Sequence, residues 1–95
     1  MFKLNSLLAF LAFGIFSVQA DTINFDVKDN IALSGKIATV KTSSKYKSLE
    51  GCAALCEKKN SCAAFVLDAK AGSCSILKSV TKETEKNGLT SGIKN

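Results

Sequence analysis

Residues 48–78 read SLEGCAALCEKKNSCAAFVLDAKAGSCSILK and contain all four cysteines of the 95-residue chain. Within this stretch, Ser48–Lys59 has the spacing of one helix face, with apolar or cysteine residues at positions 49, 52, 53 and 56. Ser48 is a favoured N-cap residue, and lysines near the end of the segment suit the negative end of a helix. The pattern predicts one amphipathic α-helix with Cys52 and Cys56 on its buried face.

Apolar runs after this helix predict a hairpin of two strands. Residues 63–67 (AAFVL) form a short continuous apolar run, which is typical of a central strand covered on both faces. A turn containing Gly72 leads to a return strand at residues 74–77. We expect residues 82–88 to form a charged loop and residues 89–93 to form a last, edge strand.

The sequence before the helix also predicts strands. Residues 22–27 alternate apolar and polar side chains, as in a half-buried strand, and Asp29–Asn30 is expected to end it. Short runs at residues 31–33 and 36–40 lie on either side of a turn at Gly35, and residues 41–47 form a basic loop. The sequence therefore predicts an α+β fold, a small antiparallel sheet with one α-helix stapled to it by disulfides.

The first twenty residues have the organisation of a secretory signal peptide. Lys3 provides a positive start, Leu7–Val18 is an uncharged apolar run, and Val18–Gln19–Ala20 offers small residues at the positions a signal peptidase reads. An uncleaved membrane anchor is the alternative, but a spanning helix needs about 20 apolar residues. We expect cleavage after Ala20, a secreted extracellular protein and one mature domain at residues 21–95.

Four cysteines in a short secreted chain predict a disulfide framework. A structural zinc site is the alternative, but such sites use closely spaced ligand pairs, and this chain has only one close pair and no histidine. Four cysteines allow three pairings. A bridge between Cys52 and Cys56 would tether nothing beyond the helix, whereas Cys62 can reach Cys56 at the helix end and leave Cys52 for Cys74. Helix geometry thus favours the pairs Cys56–Cys62 and Cys52–Cys74. We expect no metal or other cofactor.

The charge of the mature chain favours anionic partners. All basic residues are lysines, and removal of Lys3 with the signal peptide leaves twelve lysines and eight acidic residues, a formal charge of +4. This charge is compatible with acidic glycans, cell surfaces or phospholipid headgroups. Nucleic acid is an unfavourable partner for a secreted protein without arginine and with little aromatic surface.

Three segments resemble the PAN/apple domain family: SLEGCAALC at 48–56, NSCAAF at 60–65 and GSCSILK at 72–78. The closing SGIK at 91–94 is similar to the end of many such domains. The resemblance implies the pairs Cys52–Cys74 and Cys56–Cys62, and looser ends, because the terminal bridge of many apple domains is missing. It also implies a slightly weakened helix start, because Gly51 stands where the family often has an acidic residue.

The resemblance further implies a module that binds an extracellular protein or carbohydrate, as in adhesive proteins. The candidate contacts are the basic residues around the helix and one aromatic residue that sugar rings could stack on. They are Lys41, Lys45, Tyr46 and Lys47 before the helix, Lys58 and Lys59 at its end, and Lys78 and Lys82 after the last core strand.

Two other classes of function are open to a small cationic secreted protein. It could be an effector or inhibitor that acts on a membrane or a foreign protein, but the cysteines on the apolar helix face commit that face to the interior, so stable membrane insertion is not expected. Catalysis is disfavoured because the chain has no histidine and all four thiols are needed as bridges. Glu83 and Glu85 are paired acids, but they lie in a charged segment, so we interpret them as solvated surface residues and not as a catalytic pair.

Overall fold

A computed structural model describes residues 24–95 of the chain, so the predicted signal peptide lies outside the described residues. In chain order the elements are β1 Phe25–Ser34, β2 Ile37–Lys41, α1 Leu49–Lys58, β3 Ala64–Asp68, β4 Ser73–Leu77 and β5 Lys82–Lys94. The strands form one antiparallel sheet in the order β1-β5-β3-β4-β2. Helix α1 packs on one face of this sheet, which confirms the predicted α+β fold.

The helix begins where the sequence indicates. The Ser48 side chain accepts a hydrogen bond from the Gly51 amide at 3.0 Å, so Ser48 is the N-cap. A Cβ atom at position 51 would lie 1.9 Å from the carbonyl oxygen of Lys45, which belongs to the 3-10 turn Ser44–Tyr46. Gly51 is therefore required by the close approach of this turn. The prediction that it only weakens the helix start is incomplete.

The main core lies between α1 and the sheet. The helix buries Cys52, Ala53, Leu55 and Cys56 against sheet residues that include Phe65, Leu67 and Ile76. The Phe65 side chain is fully buried, and its ring meets the edge of the Phe25 ring at a centroid distance of 5.1 Å. β3 is the middle strand of the five, as its continuous apolar run predicts.

Two disulfides link the helix to the sheet and to the chain that follows it. Cys52 is bonded to Cys74 of β4, with a Cα–Cα distance of 5.6 Å, and Cys56 is bonded to Cys62, at 5.3 Å. The predicted pairing is confirmed. Because all four sulfurs are paired, none of these cysteines is left as a thiolate to bind zinc.

Strands β1 and β5 form a bent ribbon. After the pair Asp29↔Thr90 the next pair is Ile31↔Glu85, so Asn30 alone on β1 stands opposite the four residues 86–89 of β5. Asn30 has a positive φ of 60°, and its side-chain oxygen accepts a hydrogen bond from the Gly88 amide at 3.1 Å. Asparagine tolerates this left-handed conformation better than other residues with a side chain. The bulge therefore bends the ribbon at Asn30.

Beyond the bend, the distal half of the ribbon (residues 31–34 and 82–85) folds over the sheet face opposite the helix. The Ser91 hydroxyl donates a hydrogen bond to the Ile31 carbonyl oxygen at 2.6 Å. Leu33 packs with Ala64 and Leu77 in a second, smaller core cluster. β3 is thus covered on both faces, by the helix on one side and by the ribbon on the other.

Three sequence predictions for this ribbon are wrong. The chain does not break at Asp29–Asn30, because β1 continues through the bulge to Ser34. Residues 82–88 are part of β5 rather than a charged loop. Residues 89–93 do not form an edge strand, because β5 lies between β1 and β3.

The described ends of the chain are tied together by backbone hydrogen bonds, although no terminal disulfide is present. The Asn95 amide donates to the Asn24 carbonyl oxygen at 2.8 Å, and the Lys94 amide donates to that of Ala63 at 2.8 Å. The missing terminal bridge implies looser ends, but backbone hydrogen bonds hold this end of the ribbon in place of a bridge.

The bend gives a first prediction. Asn30→Ala should lower the free energy of unfolding by about 2 kcal/mol, because alanine is strained at positive φ and cannot accept the Gly88 hydrogen bond. Asn30→Gly is the matched control, since it loses the hydrogen bond without the strain and should lose about 1 kcal/mol. Urea denaturation of both variants checks this. Equal stability of the two variants would contradict strain at the bend.

Candidate binding surface

The predicted contacts before the helix come together around its N-terminal end. Lys41 pairs with Cys74, whose disulfide partner Cys52 lies in the first turns of α1. The side chain of Lys47 lies against the β3–β4 turn, where a Cβ on Gly72 would be 2.9 Å from its Cε atom. The N-end lysines are Lys41, Lys45, Lys47 and Lys70, all exposed.

Tyr46 is not a free stacking platform. Its side chain is half-buried and packs against the main core, and the Lys45 Nζ atom lies 5.2 Å from the centre of its ring. Lys45 and Tyr46 belong to the same 3-10 turn, so this cation–π contact is local. The ring is thus held between the main core and the side chain of Lys45.

A second group of lysines lies at the C-terminal end of the helix. β4 finishes there, since the Leu77 carbonyl oxygen accepts from the amide of Ala63, next to Cys62, at 2.7 Å. The Lys78 amide then donates to the Lys36 carbonyl oxygen at 2.7 Å, which brings the start of β2 to the same end. The C-end lysines are Lys36, Lys58, Lys59 and Lys78.

Lys94 has a structural role at this end. Its Nζ atom donates to the carbonyl oxygens of Cys56 at 2.9 Å and Lys59 at 3.2 Å. These carbonyl oxygens also accept backbone amides, of Lys59 at 3.1 Å and of Cys62 at 2.9 Å, so Lys94 adds a charged donor at the end of the helix. Lys94 therefore caps the helix and ties it to β5.

Lys82 lies apart from both groups, at the start of β5 opposite Ser34, on the distal half of the ribbon.

The sequence did not single out Lys36 or Lys70 as contacts. The topology of the sheet brings each of these two lysines to an end of the helix. The sequence shows that they are lysines but not where they lie relative to the helix. The two ends are about 15 Å apart along a ten-residue helix, so they form two separate surfaces.

Within the part of the chain that the structure describes, the lysines of both ends have no acidic partner. Among residues 24–95, ion pairs within 4.0 Å involve only Lys28, which contacts Asp26 at 3.7 Å and Glu83 at 3.5 Å. Acids do lie nearby: Glu50 and Asp68 at the N-terminal end and Glu57 at the C-terminal end. Each end nevertheless carries more lysines than acids, so each presents a positive surface to solvent.

One disulfide links the helix to the antiparallel sheet and a second links it to the segment that follows it, and lysines lie at both helix ends. These features define a small disulfide-stabilised α+β module. The pattern of the PAN domain family matches residues 23–94, and the chain belongs to this family.

Solved structures agree with this assignment. The fold is similar to the solution structure of a PAN module from Eimeria tenella, with a TM-score of 0.54 and 26% sequence identity. The match covers 73% of this chain and 78% of that one. No curated protein sequence matches the chain significantly. Within residues 24–95, no helix has the length and apolar character needed to cross a membrane.

Proposed function

We propose that this protein is a secreted, non-catalytic recognition module that binds an acidic extracellular surface, a carbohydrate or a protein, through the lysines at the ends of its helix. The observation that carries the proposal is the group of C-end lysines, which form no ion pair with any acidic residue of the described domain. Membership of the PAN domain family supports it, because modules of this family often bind proteins or carbohydrates.

The chemistry of the site supports binding rather than catalysis. The chain contains no histidine, and its four sulfurs are paired. Ser91 is buried, and its hydroxyl is used in a hydrogen bond to the Ile31 carbonyl oxygen. Glu83, one of the paired acids, contacts Lys28. These groups have structural partners, and none combines a nucleophile with a base.

A membrane-active effector is less well supported. The apolar face of α1 packs against the sheet, with Cys52, Ala53 and Cys56 fully buried. An amphipathic helix binds a lipid interface by burying its apolar face there. That face is already occupied in the folded domain.

The proposal predicts that binding of the mature protein to dextran sulfate weakens in the variant K58Q/K59Q. We expect roughly a three- to tenfold loss of affinity, since exposed charge contacts contribute up to about 1 kcal/mol each. Affinity of the wild-type domain should also fall steeply with added salt, because exposed charges are screened beyond about 8 Å at physiological ionic strength. Isothermal titration calorimetry at two salt concentrations measures both effects, with uncharged dextran as the reference ligand.

The matched control is K86E, which changes the net charge by the same amount at an exposed position in the ribbon bend. Its affinity should fall less than that of K58Q/K59Q. Equal losses in the two variants would mean that only net charge matters. Unchanged affinity in K58Q/K59Q, or binding that is indifferent to salt, would contradict the proposed site.

A further inference from the structure

The free edge of β2 carries the exposed large apolar side chains of the described domain. Ile37 is 59% exposed and Val40 is 48% exposed. Among residues 24–95 this strand pairs only with β4, so its other edge has no partner within that range. A register shift between Ile37 and Thr39 puts Ile37 opposite Leu77 and Val40 opposite Ser75. Because Leu77 and Ser75 both face away from the helix, the bulge brings the two exposed side chains to that same face.

This face contains an open cavity of about 320 Å³ beside β2. Its apolar lining comes from all five strands, with Leu33 of β1, Ile37 of β2, Val66 of β3, Leu77 of β4 and Leu89 of β5. Ile37 belongs both to the lining and to the exposed edge. An apolar side chain placed next to β2 could therefore enter the cavity without any change in the sheet.

The segment of sequence that contains β2 carries only positive charges. Residues 30–49 contain four lysines and no acidic residue. Lys36 and Lys41 stand at the two ends of the strand, with the exposed apolar pair between them. The opposite edge of the sheet differs, because β1 carries the acidic residues Asp26 and Asp29. Of the two edges, only that of β2 combines exposed large apolar side chains with lysines and no acidic residue.

A second copy of the chain is a poor occupant of this edge. Antiparallel pairing about the centre of β2 would put Lys36 of each copy opposite Lys41 of the other, and like charges directly opposite destabilise a strand pair. Lysines at an edge are a common protection against such pairing. The same lysines attract a strand with acidic ends.

We propose that the β2 edge is a docking site for an extended, acidic segment of a partner protein, which adds a sixth strand to the sheet. Backbone hydrogen bonds to β2 hold the segment, its acidic ends meet Lys36 and Lys41, and one of its apolar side chains enters the cavity. Strand addition of this kind draws affinity from the main chain and specificity from alternate side chains. This site takes one lysine from each helix-end group, Lys36 and Lys41. Its strand edge and apolar side chains do not include Lys58 or Lys59, so it does not rest on binding by that pair.

The test uses the folded mature domain, labelled with nitrogen-15, and the acetylated peptide Glu-Val-Thr-Val-Thr-Asp as probe. We expect amide shift changes centred on residues 36–41 at millimolar peptide. A peptide with lysine at both ends should bind about tenfold more weakly, because two cross-strand charge pairs become repulsive. The acidic peptide with its four central amide nitrogens methylated keeps its charge but cannot donate, so it should not bind.

Two variants separate this site from general charge attraction. I37T/V40T keeps β-branched side chains at exposed positions, so the fold should be retained while peptide affinity falls several-fold. K36E/K41E should reverse the preference and favour the lysine-ended peptide. K58Q/K59Q leaves the β2 edge intact and should bind the acidic peptide as the wild type does.

Three results would overturn the proposal. They are equal binding of the methylated peptide, shift changes that do not include residues 36–41, and self-association of the domain through β2 at the same concentrations. The dextran sulfate measurements are independent of these outcomes, since K58Q/K59Q tests the helix end and I37T/V40T removes no charge.

Discussion

Replacing Cys52 and Cys74 together with alanine is expected to lower the free energy of unfolding by about 3.4 kcal/mol. This bridge joins residues 22 apart in the sequence and ties the start of the helix to β4. Its removal frees a long loop in the unfolded chain, and the entropy gained by the unfolded state grows with loop length. For a domain of this size, such a loss is a large share of the total stability.

The matched control is alanine at Cys56 and Cys62, whose bridge spans a separation of only 6. It should cost about 2.4 kcal/mol. Cys52, Cys56 and Cys74 are fully buried and Cys62 is 3% exposed, so the two double variants lose similar packing. Guanidinium denaturation of both proteins measures the difference. If the short bridge proved the more important one, loop entropy would not be the main source of stabilisation.

Gly92→Ala is expected to lower the free energy of unfolding by about 2–3 kcal/mol. Gly92 of β5 lies opposite Phe65 in the sheet, and a Cβ atom there would come within 2.4 Å of the Phe65 ring. The ring is fully buried and contacts Phe25, so it cannot move aside without disturbing the core. A methyl group at position 92 therefore overfills the main core.

A double variant tests the cause. Phe65→Leu alone should cost about 1–2 kcal/mol by leaving part of its volume empty. In Gly92→Ala with Phe65→Leu, the new methyl group occupies that space, so the combined loss should be at least about 1 kcal/mol smaller than the sum of the single losses. Thermal or denaturant unfolding of the four proteins completes the cycle. Additive losses would show that the alanine acts through the backbone and not through the ring.

The central part of the fold was predictable because local patterns and tertiary packing agree there. Ser48 begins the helix by its own hydrogen bond to Gly51, and the 3.6-residue spacing puts Cys52 and Cys56 on the buried face. The apolar run of β3 predicts a strand buried on both faces, and it is the middle strand of the sheet.

Strand β5 was missed because its first half has no apolar pattern. Residues 82–88 are polar or charged apart from Gly88, and all of them are exposed. Residues 82–85 are extended because they pair with β1, whose partner residues lie 48 to 54 positions earlier in the chain. Strand pairing of this kind is a tertiary interaction, so no window of the local sequence contains its signal.

The sequence by itself determined the helix, the hairpin of β3 and β4, the cysteine spacing that allows two bridges, and the excess of lysine. These follow from side-chain periodicity and charge, which act over a few residues. Only the tertiary structure decided which lysines share a surface, as with Lys36 beside Lys78 and Lys47 beside Gly72. It also decided that β2 is an open edge with Ile37 and Val40 on one face, because strand order and a one-residue bulge depend on pairing between distant parts of the chain.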